Sequence, residues 1–402
     1  MDEVRRTPWT RSRRKVSTQT ATVAQQSNAE GNGISEVIVG LEAQFDLTTR
    51  NAEEEQYYDA RDCVTVKMRN RQGRDCATIA RVQDNKDGSY KVSYFAKETG
   101  TCYLSVKVND KFIHDSPFEV EVKPRKFKPV LSFGQQGSAD AMFVCPWGVA
   151  VNERDEIAVT DFHNDRIQVF SSDGTHLRSF GNSGVKWGEF CCPAGIAFDP
   201  QNGNILVADR GNHRVQVFNE MGEYQQGNIF ERQRNHDHEP GFPDGLSIDS
   251  DRNVIVTDSA NGVKMFSSNG QSVRKIGEGS LTNPWHCVQY DNYLIVSDSA
   301  ENNIKVFNKD GHFLYKFGKT GSGDGELNQP RLLSVNKAGH LMVCDEGNHR
   351  VQVFELSGKF VTKFGTEGTG KGEFNLPVST AVLSDGRIVV TEFWNHRIQI
   401  FE

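Results

Sequence analysis

The chain has 402 residues, 36% hydrophobic and 25% charged, with 53 acidic against 46 basic side chains. That length calls for two or more domains, while no apolar run approaches the ~18–20 residues of a spanning helix, so a membrane class and a membrane partner are excluded and a cytoplasmic location is expected. Residues 126–402 carry 26 basic and 34 acidic side chains, a balance that excludes indiscriminate binding to a phosphate backbone and leaves DNA out of the expected partners.

Residues 1–34 are rich in Arg, Ser, Thr, Gln and Asn, with few aliphatics and no hydrophobic period. Such a segment buries too little apolar surface to order itself, so a disordered basic tail is expected there. From residue 35 to 124 the pattern changes to short alternating strands, among them Val64-Val66-Met68, Tyr90-Val92-Tyr94 and Phe118-Val120-Val122, separated by turn signals such as Asp87-Gly88. Roughly seven strands in that span predict a β-sandwich. The run Asp84, Asn85, Asp87, Gly88, Tyr90, Val92, Tyr94 and the later Ser116-Pro117-Phe118 resemble the two motifs of a filamin-type immunoglobulin repeat. Strands of that fold accept extended peptides by edge pairing, but a spacer role is preferred here. The joint from Pro124 to Pro129 is stiffened by proline at both ends.

Residues 125–402 repeat themselves. A proline recurs as Pro146, Pro193, Pro243, Pro284, Pro330 and Pro377, and an acid as Asp161, Asp209, Asp258, Asp298, Asp345 and Glu392. A phenylalanine recurs as Phe170, Phe218, Phe266, Phe307, Phe354 and Phe401, at spacings of 48, 48, 41, 47 and 47. Six units of four apolar strands each predict a six-bladed β-propeller. Asn212-His213-Arg214, Asn348-His349-Arg350 and Asn395-His396-Arg397, each leading into an apolar-Gln-apolar strand, resemble the NHL repeat. Units one, three and four depart from it with Asn164-Asp165-Arg166, Asn261-Gly262 and Asn302-Asn303. The chain reaches Glu402 just after the third strand of the last unit, and residues 130–133 have the fourth-strand form. They are expected to close the ring from its N-terminal side, leaving no open sheet edge. The fold class is thus all-β, a filamin-type sandwich followed by an NHL propeller.

Chemistry has few footholds. The eight cysteines include no CxxC pair and no zinc-ligand spacing, so they read as reduced thiols, with no metal or cofactor expected. One Asp per blade makes a symmetric ring rather than a convergent catalytic site, and it reads as a turn-fixing partner of the repeat's own Arg. The recurrent His read as packing and turn residues. His236, Asp237, His238 and Glu239 form a metal-like group that reads as a solvated loop. No nucleophile-base constellation and no phosphate loop is present, so catalytic residues are absent from this chain.

Two positions vary although the repeat holds their surroundings constant. After the proline stand Trp147, Ala194, Asp244, Trp285, Arg331 and Val378; after the acid stand Phe162, Arg210, Ser259, Ser299, Glu346 and Phe393. Both positions fall on one mouth of the ring. Trp147, Phe162, Arg210, Trp285, Arg331 and Phe393, with Trp394 beside them, are therefore the candidate binding residues, read as aromatics and arginines on a solvent-facing rim. The domain order resembles the C-terminal half of the tripartite-motif NHL (TRIM-NHL) proteins, in which it follows RING, B-box and coiled-coil segments. That resemblance implies recognition of a protein partner or ubiquitin-ligase substrate on the mouth, or alternatively an RNA element for post-transcriptional repression. No RING or B-box spacing is found here, so ligase activity is not carried over to this chain.

Overall fold

The structure, a computed structural model, describes residues 21–230, 242–259 and 262–402. The expected tail over 1–20 and the group His236–Glu239 lie outside the described residues. The chain divides into two compact units, in the main up to Val122 and from Lys123 onward.

The first unit is a two-sheet sandwich. One sheet orders β1 (Asn28–Glu30), β3 (Glu42–Thr48), β6 (Ser89–Phe95) and β5 (Arg81–Asp84); the other orders β2 (Glu36–Ile38), β9 (Phe118–Lys123), β7 (Gly100–Val108) and β4 (Val64–Asn70), with β8 (Lys111–Phe112) beside β7. Alternation dictates which face is inside: Ala43, Phe45 and Leu47 of β3, Tyr90, Val92 and Tyr94 of β6, and Leu104, Val106 and Val108 of β7 are buried, while their neighbours in sequence point out. The Asp87-Gly88 turn works as its composition requires. Asp87 Oδ1 accepts the Ser89 N–H at 2.8 Å, and Gly88 has φ +92°, with Tyr57 O only 2.7 Å from where a Cβ would stand.

One boundary needs correction. Residues 21–34, expected within the tail, belong to this sandwich: Val23 N–H bonds Arg50 O, Ala24 and Ser27 are buried, β1 pairs with β3, and Tyr94 Oη donates to Gly33 O at 2.6 Å. The segment is ordered by backbone pairing and small buried residues, neither of which leaves a hydrophobic period to read.

The second unit is six four-stranded antiparallel blades. The innermost strands of successive blades touch in turn, and that of the sixth touches that of the first. Blade 2 shows the pattern, with Pro193–Phe198, Ile205–Asp209, Arg214–Phe218 and Tyr224–Phe230 running from the axis outward. Its second strand is buried on both faces because it lies between two neighbours. Ile205 and Val207 face blade 1 with Ile167, Val169 and Phe190, while Leu206 and Ala208 face blade 3 with Leu246 and Val254. The sixth blade supplies three strands, Pro377–Val382, Ile388–Glu392 and Arg397–Phe401, and takes its outer strand from β10 (Pro129–Phe133), which pairs Phe133 with Ile398 and Ser132 with Gln399. The ring closes as the sequence predicted.

The Gly-rich links between blades do more than turn. Phe143, Phe190, Leu327 and Phe374 project from them as fully buried side chains, each on a short parallel bridge such as Glu367 to Phe374. Burying one such phenylalanine contributes about 1.5–3 kcal/mol. Gly365, at φ +90°, is needed to seat it: a Cβ there would stand 2.2 Å from the Phe374 ring.

Candidate functional site

The start of each innermost strand pairs with the end of the second, as Pro146 with Asp161 and Pro193 with Asp209. The residue after the proline and the residue after the acid of every blade therefore reach the same end of the ring.

Beneath them the recurrent acid is a structural fixture. Asp209, fully buried, accepts Arg214 Nε at 2.7 Å, Asn212 Nδ2 and Gln216 Nε2 at 2.9 Å, and the Cys191 N–H at 2.8 Å. The other end of Arg214 donates to the carbonyls of Val185, Lys186 and Glu189 in the preceding link. Asp345 with Arg350 and Glu392 with Arg397 repeat the arrangement. Burial pushes the Asp161 and Asp209 carboxyls above their usual range, against the opposing pull of these donors. The histidines act as bolts between blades: His396 Nδ1 accepts the Cys145 N–H at 3.0 Å and His349 Nδ1 the Leu376 N–H at 3.3 Å. Each His sits in the left-handed region, φ 50° and 51°, which ends the turn. No group of three or more His, Cys, Asp or Glu among the described residues is placed to hold a metal.

Above this layer four of the six candidate residues converge on the axis. Trp147 stacks on Phe162 with centroids 5.1 Å apart, meets Trp285 at 5.7 Å and is met edge-on by Phe393 at 5.4 Å. Trp147 and Trp285 come from blades 1 and 4, on opposite sides of the ring, and Ala194, Leu332 and Val378 fill in around them. The aromatics thus plug the end of the channel. Trp147 and Phe162 are each only 8% exposed, which corrects the expectation of an open stacking platform: six blades of unequal side chains share one narrow axis, and the large rings collapse into it. Trp147 Nε1 is buried within the plug and has no hydrogen-bond partner among the described residues.

The two arginines are not free cations either. Arg210 Nε donates to Asp244 at 2.6 Å and its guanidinium lies 4.6 Å over the ring of Phe242. Arg331 Nε donates to Glu346 at 2.6 Å and stacks 3.8 Å over Trp285. Burial pushes the Glu346 carboxyl up while Arg331 pulls it down. These acids stand at the very variable positions read from the sequence, so their opposite signs were the available signal of pairing. Among the described residues, the large apolar side chains left exposed at the mouth are Trp394 at 54% and Phe242 at 41%, with His163 exposed beside Phe162.

Sequence reasoning passed over a second exposed aromatic. Trp187, beneath the Arg214 guanidinium at 4.5 Å and stacked on Tyr224 at 5.5 Å, stands in the link before blade 2 where the links before blades 5 and 6 carry Asp324 and Lys371. That apolar departure from a polar repeat position was legible.

Comparison with known proteins agrees with this architecture. The filamin/ABP280 repeat family matches residues 21–119, the NHL repeat family matches 143–170, 190–218, 327–354 and 374–401, and a 6-bladed β-propeller family matches 281–340. E3 ubiquitin-protein ligase TRIM71 of Xenopus tropicalis is 34% identical over 157 residues, 38% of this chain and 19% of that protein. Protein brain tumor of Drosophila melanogaster is 28% identical over 166 residues, 40% of this chain and 15% of that protein. Tripartite motif-containing protein 2 of Bos taurus is 28% identical over 207 residues, 51% of this chain and 27% of that protein. The matched stretches therefore amount to less than a third of these relatives. Among solved structures, a protein of unknown function from Bacteroides thetaiotaomicron superimposes with TM-score 0.63 at 14% identity, covering 95% of this chain and 97% of its own. A gluconolactonase from Xanthomonas campestris gives TM-score 0.52 at 14% identity, covering 69% and 97%. Both are likenesses of fold.

Proposed function

We propose that this chain, which matches the C-terminal half of TRIM-NHL proteins in the kind and order of its repeats, is a non-catalytic recognition module whose propeller mouth binds a protein partner. The observation that carries this reading is the neutralisation of both mouth arginines, Arg210 by Asp244 and Arg331 by Glu346. Binding along a phosphate chain draws on uncompensated cations, whereas a protein hot spot draws on aromatic anchors in a water-excluding surround. Trp394 and Phe242, both exposed, supply the anchors. By likeness to TRIM71, named as a ubiquitin-protein ligase, the partner is a ligase substrate, presented in the cytoplasm.

RNA is the second reading, favoured by Phe242 under Arg210, an arrangement on which a base can stack. Titration with a random RNA pool at low and physiological salt separates the two. Protein recognition predicts that RNA binding vanishes at physiological salt, while Trp394→Ala and Phe242→Ala reduce binding of a cross-linked protein partner. RNA binding that survives physiological salt and weakens on Arg210→Glu would overturn it in favour of the RNA reading.

A further inference from the structure

The outer face of the sheet β2-β9-β7-β4 carries its charge in stripes. On β4 the outward positions are Thr65, Lys67 and Arg69; in register on β7, Lys107 stands opposite Thr65 and Ser105 opposite Lys67. Phe112 of β8 flanks them, 38% exposed, with the Lys107 ammonium 4.5 Å over its ring. These side chains line a groove of about 260 Å³ with two hydroxyls, an aromatic wall and three cations. Neither Lys67 nor Lys107 has an ion-pair partner among the described residues. Arg69 reaches Asp75 at 3.1 Å, but both groups are more than half exposed, and such a pair is worth under ~1 kcal/mol and exchanges readily. On β9, which pairs with β7, the outward residues are Glu119 and Glu121, opposite Tyr103 and Thr101, and the terminal Lys123, so two carboxylates border the basic stripe.

We propose that this face binds an extended acidic peptide. Side chains on one face of an extended strand recur every ~7 Å, so carboxylates at alternate positions of a peptide match the spacing of Lys67 and Arg69, and an apolar side chain at the next position of the same face packs on Phe112. Asp110 at one end of the groove, with Glu119 and Glu121 at its side, disfavours a continuous polyanion such as RNA but suits a chain that also carries an amine. The contact runs across the face rather than along the edge of β4, because part of that edge is taken: Met68 O accepts the Cys76 N–H at 3.1 Å, and Arg69 is bridged to Asp75.

Fluorescence anisotropy on the full chain tests this, with a short labelled peptide of alternating Ser and Glu, its Ser-Lys counterpart and a single-stranded RNA of similar length. The Ser-Glu peptide should bind, tenfold or more weakly after Lys67→Glu or Lys107→Glu and unchanged after Lys91→Glu on the opposite sheet. The double variant Lys67→Glu/Lys107→Glu should gain affinity for the Ser-Lys peptide, a gain that misfolding cannot produce. The proposal falls if the unaltered chain binds the Ser-Lys peptide equally well, if charge reversal leaves Ser-Glu binding unchanged, or if RNA binding is what Lys67→Glu removes.

Discussion

Arg331 is held on two sides, by the Glu346 carboxylate at 2.6 Å and by the face of Trp285 at 3.8 Å, and Glu346 is 5% exposed. Removing one member of a buried pair leaves the other charged and unsolvated, which costs more than the pair contributes. Arg331→Ala is therefore expected to lower unfolding stability by about 3 kcal/mol, and Arg331→Ala combined with Glu346→Gln to lower it less, as read from denaturant midpoints. Trp394→Ala should behave oppositely: at 54% exposure its stability change should stay within ~0.5 kcal/mol, while partner binding falls. The two outcomes separate the residues that build the mouth from those that face a ligand. The variable positions were legible in the sequence as a set; their division into plug, ion pair and exposed anchor depends on distances that only the closed ring fixes.

At the scale of the blade, β10 is the element most remote in sequence from its partners. It completes the sixth sheet by pairing with Arg397–Phe401, and Phe133 adds a ring contact to Phe170 at 5.0 Å. A protein beginning at residue 123 should unfold cooperatively, whereas one beginning at residue 139 leaves an open edge on the sixth blade and should lose most of that cooperativity in a thermal melt. Phe133 is only half-buried, so Phe133→Ala should cost about 2–3 kcal/mol, at or below the bottom of the ~3–5 kcal/mol range for a fully buried phenylalanine. Equal melting of the two truncations would mean that closure rests elsewhere. The β10 strand was readable because residues 130–133 repeat the form of other outer strands, whereas β1 in the sandwich was not, because three polar and small residues carry no period.

Across the whole propeller, His286 joins three blades. Its Nδ1 accepts the Leu333 N–H of blade 5 at 3.2 Å and its Nε2 donates to Leu246 O of blade 3 at 3.2 Å. The Leu333 bond requires an unprotonated Nδ1 and so the neutral ring, and burial pulls the ring's pKa down to about 4 against the smaller upward pull of the Leu246 carbonyl. The unfolded chain takes up the proton near pH 6.5 and the folded chain only near 4, so this contribution is complete above pH 6.5 and declines as the pH falls between those values. At ~1.4 kcal/mol per pH unit, about 2 kcal/mol should be lost by pH 5. Burial also lowers the pKa of His340 and His396, which act in the same direction. His286→Gln should flatten the decline between pH 7 and 5 in denaturant titrations while lowering stability at pH 7; an unchanged slope would place the acid sensitivity in other groups.

The sequence by itself determined the two folds, the six blades and the closing strand, because each is written as a period: alternation in Tyr90-Val92-Tyr94, and proline, acid and phenylalanine at every blade. It also determined which end of the ring varies, since Trp147, Arg210, Arg331 and Phe393 depart from positions whose neighbours repeat. Only the tertiary structure decided what those departures do. Whether Trp147 faces solvent or another ring depends on Trp285, 138 positions away in the chain and 5.7 Å away across the axis, and whether Arg210 is a free cation depends on Asp244 in the next blade. Periodicity reports what a strand shares with its own neighbours in sequence, whereas burial and charge pairing at the axis are set by six separate blades meeting at one point.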